Sequence, residues 1–205
     1  MSDLSDDIQL LEDKRSPKRR SAAKRLRKLG DVAAGPALLK RAKKEILDPR
    51  TWETQYQLIM AIGECEYVDA LPFLESLSET KIEATMVYVG IGDALVRLKS
   101  KGGNDVAPVL SLMMSDNHML IDGAFRAMAM LKMVPSDDAI NAILEFVSKF
   151  DIEHGIRFWP LAASAGWNGN NVEKYVSKCS QSSRQDLQHA AKLAGESKYY
   201  NWRPL

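Results

Sequence analysis

The sequence predicts an all-α protein: a right-handed α-solenoid of about five helical hairpins, closed by capping helices at its ends. Three observations predict it. Alternating Val/Ile/Thr runs closed by Asn-Gly or Asp-Gly turns, the usual strand signals, are nearly absent. Apolar residues recur instead at spacings of three and four, as in Ala22, Leu26 and Leu29 with Ala23 beside them, or in Trp52, Tyr56, Ile59 and Ile62. Finally, GPALLKRA around Pro36, LPFLESLS around Pro72 and APVLSLMM around Pro108 set a proline at the same point of three apolar helices, each 36 residues after the last.

Each element then follows in order. Residues 1–15 hold a short capping helix with Ser5 as a candidate N-cap. A repeat array over residues 16–195 divides into hairpins at Ser16–Leu47, Asp48–Thr80, Lys81–Asn117, His118–Asp151 and Ile152–Ser182, with a closing helix at Arg184–Gly195. SPKRR and DPRTW begin the first two hairpins with a proline one residue after a capping Ser16 or Asp48. Proline costs little there, because its missing N–H had no partner within the helix. KRLRKLG ends at Gly30, LIMAIG at Gly63, LAASAG at Gly166 and AAKLAG at Gly195, and NAILEFVS around Ala142 continues the second-helix series without the proline. One hairpin cannot bury its apolar face alone, so the units must stack into a continuous core. The tail, residues 196–205, carries Tyr199, Tyr200, Trp202 and Arg203 and is expected to dock on the last repeat.

These features resemble HEAT repeats, in particular the short HEAT-like repeats of phycobilisome lyases. The resemblance rests on first helices ending in Leu/Ile-Gly, turns carrying Asp or Glu (LGDVAAGP, IGECEYVDALP), and second helices opening with Pro-x-Leu. It is good in the first two hairpins, recognisable in the fourth and degenerate in the third and fifth. It implies a curved array whose second helices line a concave, ligand-binding face. A fold of this kind implies no activity, which must be argued from a site.

The composition sets the outer limits. The chain has 205 residues, 45% of them apolar, which is ample core material. Cys65 and Cys179 stand alone without CxxC or Cys/His spacing, so small buried thiols in a reducing compartment are expected. MSDLSDDIQLLEDKR lacks an apolar leader segment, and the most apolar run, ATMVYVGIGDALV from Ala84, is interrupted by Asp93. A cytoplasmic protein with no membrane contact is the expectation, with the oligomeric state left open.

A search for chemistry returns no catalytic signature, no metal set and no cofactor motif. His118, His154 and His189 are scattered, and there is no P-loop, GxSxG or HExxH. Gly90 and Gly92 sit within an apolar helix and let another helix approach closely. Six methionines between Met113 and Met133 read as flexible core, and Asp122 with Arg126 as an i,i+4 pair on a helix surface. Arg157, Trp159 and Trp167 are either packing of the last hairpins or a stacking site that anchors a partner.

Charge distribution points to function more directly. The formal net charge is +1, yet Lys14 to Lys44 carries thirteen Lys or Arg against Asp31 alone, while Pro49 to Asn170 carries nine against sixteen acids. On the second helix of hairpin one, Lys40, Arg41, Lys43 and Lys44 lie outside the stripe of Leu38, Leu39, Ala42 and Ile46; Glu75 and Glu79 occupy the corresponding helix of hairpin two, and Glu145 that of hairpin four. A groove basic at one end and acidic further along suits a protein partner with complementary patches, which such fields steer and select. It suits a nucleic-acid backbone poorly. The preferred function is thus a non-enzymatic protein-binding module, with a bacterial immunity or inhibitor protein that neutralises a toxin as one specific form. The alternative is nucleic-acid binding, by resemblance to the HEAT-like alkylpurine DNA glycosylases, whose motif residues find no match here. A lyase or chaperone for a bilin rests on the repeat type alone.

Overall fold

The computed structural model describes residues 3–201, and among these the regular structure is helical with no strand. The helices are α1 (Leu4–Leu10), α2 (Ser16–Leu29), α3 (Gly35–Glu45), α4 (Trp52–Glu64), α5 (Leu71–Ser78), α6 (Met86–Lys99), α7 (Ala107–Leu112), α8 (His118–Met130), α9 (Asp137–Ser148), α10 (Phe158–Ala163), α11 (Asn170–Cys179) and α12 (Gln185–Gly195). They form two compact units that meet in sequence between Lys99 and Ser100, which divides the predicted third hairpin, Lys81–Asn117, between them.

Local chemistry explains where the helices begin. Pro36, Pro72 and Pro108 each occupy the second residue of α3, α5 and α7, where a missing N–H is harmless. The turns before α3 and α5 are single 3₁₀ turns, Val32–Ala34 and Val68–Ala70, again 36 residues apart; Asp31 accepts from the Ala33 N–H in the first. Each first helix here is closed by a left-handed residue: Gly30 at φ 65° and, 36 positions later, Glu66 at φ 52°. Gly63, expected to end its helix as Gly30 does, instead lies inside α4. Two expected caps also differ. Asp3, not Ser5, precedes α1, and Ser16 is the first residue of α2 rather than its cap, its hydroxyl sharing a 2.7 Å hydrogen bond with Thr54 of α4. Asp48 does cap, accepting from the Arg50 N–H.

In the first unit α2, α4 and α6 lie side by side, with α3 packed on α4 and α5 on α6. Ala22, Ala23 and Leu26 are buried as predicted, but Leu29, in the last turn of α2, is 55% exposed. Leu38, Leu58, Ile59, Ile62, Leu74, Ile91 and Leu95 fill the core. Fully burying a side chain of that size contributes about 1.5–3 kcal/mol. The central helices approach closely. A Cβ at Gly63 would stand 2.8 Å from the Ala94 Cα, and one at Gly90 would stand 3.2 Å from the Tyr56 ring, so the close approach expected at Gly90 is real.

In the second unit α8, α10 and α12 stack, α7 packs on α8, and α11 packs on α12 and α9. α10 is one short helix whose Pro160 falls in the first turn. Of the methionine group, Met128 and Met133 are core, whereas Met114 is 86% exposed and the others are half-buried. Tyr200 packs edge-on against Phe158 and His189, with ring centroids 5.2 and 5.4 Å away, and Tyr199 lies against Gly166. Trp202 and Arg203 of the predicted tail lie outside the described residues.

Candidate functional site

The outward face of α3 and α5 collects most of the charged residues that the sequence singles out. On α3 the apolar residues Leu38 and Ala42 turn inward, which leaves Lys40, Lys43 and Lys44 exposed. Lys43 Nζ lies 6.0 Å from the centroid of the Phe73 ring on α5, so the two helices approach each other at this point. On α5, Glu75 receives Lys99 Nζ of α6 at 2.7 Å, and Glu79 is exposed at the C-terminal end. The face is therefore of mixed sign: three lysines beside two glutamates.

Its cations are not equally available. Arg41 is fixed within the protein, with its Nη2 2.6 Å from Glu45 Oε1's partner oxygen Oε2, and Arg19 grips the same carboxylate with Nη2 at 2.6 Å from Oε1. Burial alone works against the Glu45 carboxylate, but the Arg19 and Arg41 guanidiniums outweigh it and hold its pKa below the ordinary value. Glu12, from the chain just after α1, takes Lys40 at 3.2 Å, Lys44 at 3.5 Å and Arg41 at 3.9 Å, and the Lys40 contact leads in lowering its pKa. Exposed pairs of this kind contribute little, typically about 0–1 kcal/mol. Arg41 thus moves from the candidate binding residues to the structural ones, and Lys43 is the cation least engaged with acids.

Arg157, Trp159 and Trp167 do not form an exposed stacking surface. Arg157 is 1% exposed, and its guanidinium donates to the carbonyls of Asp151 at 2.8 Å and Phe150 at 2.6 Å, tying the α9–α10 connection together. The Trp167 indole N–H donates to the Met133 carbonyl at 2.9 Å, and the ring is buried. Trp159 is largely buried under Arg126, whose guanidinium carbon lies 5.6 Å from the ring centroid. Asp122 and Arg126 are likewise not a surface pair: Arg126 is buried, and burial pushes the Asp122 carboxyl up to about 6, against the lowering effects of the Trp159 hydrogen bond and the Arg126 charge. Glu145 stands exposed on α9 of the second unit.

The sequence reading missed a buried ladder of charge across the first unit. Arg27 of α2 reaches Gln57 at 3.5 Å and Glu64 at 3.4 Å on α4; Glu64 also receives Arg97 of α6 at 3.2 Å, and Arg97 binds Asp93 at 2.7 Å. A signal was present. DALVR (Asp93 to Arg97) and DGAFR (Asp122 to Arg126) repeat the same Asp-x-x-x-Arg spacing, which is a mark of repeated position rather than of a solvated face.

Folding also gathers two of the scattered histidines. The Phe150 ring lies 5.0 Å from His118 and 4.9 Å from His154, and His154 Nδ1 accepts from the Ile156 N–H at 3.2 Å, capping the turn into α10. Desolvation, followed by the charges of His118, Arg157 and Arg184, lowers the His154 pKa below 6.5, with Asp151 opposing. The fold thus favours neutral His154, and the unfolded chain takes up the proton more readily. That contribution is complete above pH 6.5 and is lost as pH falls toward the depressed value. Asp122 contributes in the opposite sense between its ordinary value and about 6. His154→Asn keeps an acceptor for the Ile156 N–H and removes the titration. Thermal melts at about pH 7.5 and about pH 5.5 are expected to show a smaller acid-induced drop in Tm for the variant than for the wild type.

Burial pushes the Cys65 thiol up to about 11 and raises that of Cys179, so both are inert structural thiols. Among the described residues no group of three His, Cys, Asp or Glu could hold a metal ion, and no helix is long and apolar enough to cross a membrane.

Comparison with known proteins bears on the first hairpin. Residues 18–43, spanning most of α2 and α3, match the family model of the PBS lyase HEAT-like repeat. No curated protein matches the chain. Two crystal structures of engineered proteins resemble the chain: one at 17% identity, covering 98% of this chain and 100% of its own with a TM-score of 0.45, the other at 18%, covering 96% and 98% with a TM-score of 0.47. With α2, α4 and α6 side by side, α3 packed on α4, and the starts of α3 and α5 36 residues apart, the chain is an all-α helical-repeat protein of the α-solenoid class, and its first hairpin is similar to the PBS lyase HEAT-like repeat.

Proposed function

We propose that the protein is a non-catalytic binding module that holds a protein partner against the outward face of α3 and α5. The observation that supports this reading is the contact of Lys43 with Phe73, which brings α3, with its exposed lysines, next to α5, with its exposed glutamates. A surface with both signs at close range recognises a complementary pattern of charges, and it penalises a uniform polyanion. Phe73 between them supplies an apolar point of the kind that anchors protein interfaces.

Lys43→Glu and Glu79→Lys, each at an exposed position, are expected to leave the fold intact and to slow association with the partner several-fold each. The check is co-purification from the producing cells followed by association kinetics on the recovered complex. The wild type and Lys178→Glu, at an exposed position of α11, should each retain the same stoichiometric protein, and the two variants in the α3–α5 face should retain less of it. Equal retention by all four would place the interface elsewhere. Recovery of nucleic acid, with duplex binding that falls steeply with salt, would replace this reading with the polyanion one. In the immunity-protein form of the proposal the retained partner is a toxin encoded by the neighbouring gene, and co-expression of the two is expected to relieve its toxicity.

A further inference from the structure

A cavity of about 320 Å³ opens in the second unit, lined by Trp159, Tyr199 and Tyr200 together with Met130, Lys132 and Asn201. Each aromatic wall is fixed from outside the cavity. The Trp159 indole hydrogen-bonds the Asp122 carboxyl, with the Arg126 guanidinium stacked over the ring. Tyr200 is held edge-on by Phe158 and His189. The Tyr199 hydroxyl occupies the space where any side chain at Gly166 would begin. Walls that are already ordered bind a flat ring without a large entropic cost, and each ring–ring contact contributes about 0.5–1.5 kcal/mol beyond burial.

The charge around the cavity selects among flat ligands. Lys132 is exposed at its edge, in a left-handed conformation, with Nζ 4.9 Å from the Tyr199 ring centroid. No carboxylate is among the described lining residues, and the Asp122 charge behind Trp159 is balanced by Arg126. We infer that this cavity is a binding site for a small aromatic carboxylate, its ring against the two tyrosines and the part of Trp159 that lines the cavity, and its carboxylate on Lys132. The site is independent of the α3–α5 face and does not rest on the protein-binding proposal.

Titration calorimetry and saturation-transfer NMR with indole-3-acetate, neutral indole and cationic tryptamine test this directly. Indole-3-acetate is expected to bind about tenfold more tightly than indole, as one partly desolvated charge pair provides, with tryptamine weakest. Lys132→Glu should remove or invert that order without altering the fold, since Lys132 is exposed. Gly166→Ala, which displaces the Tyr199 hydroxyl, should weaken all three ligands together. Failure of the wild type to bind any of the three would overturn the inference, as would equal binding of the anion and the cation. An unchanged order in Lys132→Glu would overturn it as well.

Discussion

Arg97→Met is expected to destabilise the first unit by about 3–5 kcal/mol, the usual cost of removing one partner from a buried ion pair. Asp93 is 0% exposed and Arg97 Nε lies 2.7 Å from its Oδ1, so the substitution leaves a carboxylate in the core opposite a thioether. Burial on its own disfavours the charged guanidinium, but Asp93 and then Glu64 more than offset this and raise the Arg97 pKa. Removing Arg97 also leaves Glu64 with Arg27 as its remaining cation in the ladder, at 3.4 Å. Urea unfolding should show the loss in the midpoint rather than in the slope. Asp93→Asn combined with Arg97→Met should recover part of it, because much of the cost arises from a buried carboxylate that has lost its Arg97 counter-charge. A loss below about 1 kcal/mol would mean that the ladder behaves as an exposed network.

Gly63→Ala is expected to destabilise the same unit by about 1–3 kcal/mol, against the sign that helix propensity alone would give. Gly63 lies in α4, where alanine is intrinsically better by about 0.8–1.0 kcal/mol. The new Cβ, however, would stand 2.8 Å from the Ala94 Cα and 3.0 Å from its Cβ. The obstacle is backbone, which no rotamer change can move aside, so α4 and α6 must separate. Gly195 provides the contrast. It is the last residue of α12 with open space around it, and Gly195→Ala should be neutral or stabilising by up to about 1 kcal/mol. Equal effects at the two positions would show that propensity, not helix approach, governs Gly63.

These two residues also show how much the sequence revealed. The 36-residue proline period located α3, α5 and α7 because proline at the start of a helix is a local preference, legible without tertiary structure. Gly63 was misplaced because LIMAIG and KRLRKLG look alike, yet Gly30 supplies a left-handed turn residue and Gly63 supplies room for a neighbouring helix. Glu66, not a glycine, fills the equivalent turn position. Leu29 and Trp52 fit an apolar stripe by spacing, yet they stand at helix ends and are exposed.

The candidate site was legible only in part, for a related reason. Lys43, Glu75 and Glu79 could be placed outside their stripes by periodicity alone, because what faces away from a core is fixed by the helix itself. Which charges remain free for a partner depends on residues distant in sequence. Glu12 comes to Lys40 and Lys44, and Glu45 is shared by Arg19 and Arg41, through contacts that only the folded chain creates. Arg157 and its neighbouring tryptophans carried the composition of a stacking site. The carbonyls of Phe150, Asp151 and Met133 absorb their donors instead.

The central claim is that a protein partner occupies the α3–α5 face, and site-directed photo-crosslinking in the producing cells tests it most directly. A photoreactive side chain replaces Lys43 or Ser76, both exposed on that face, or the exposed Ser177 of α11 as the control. The account predicts one discrete protein adduct from positions 43 and 76, none from 177, and loss of the adduct when Glu79→Lys is added. Adducts of equal yield from all three positions, or an adduct at 43 that persists with Glu79→Lys, would contradict it.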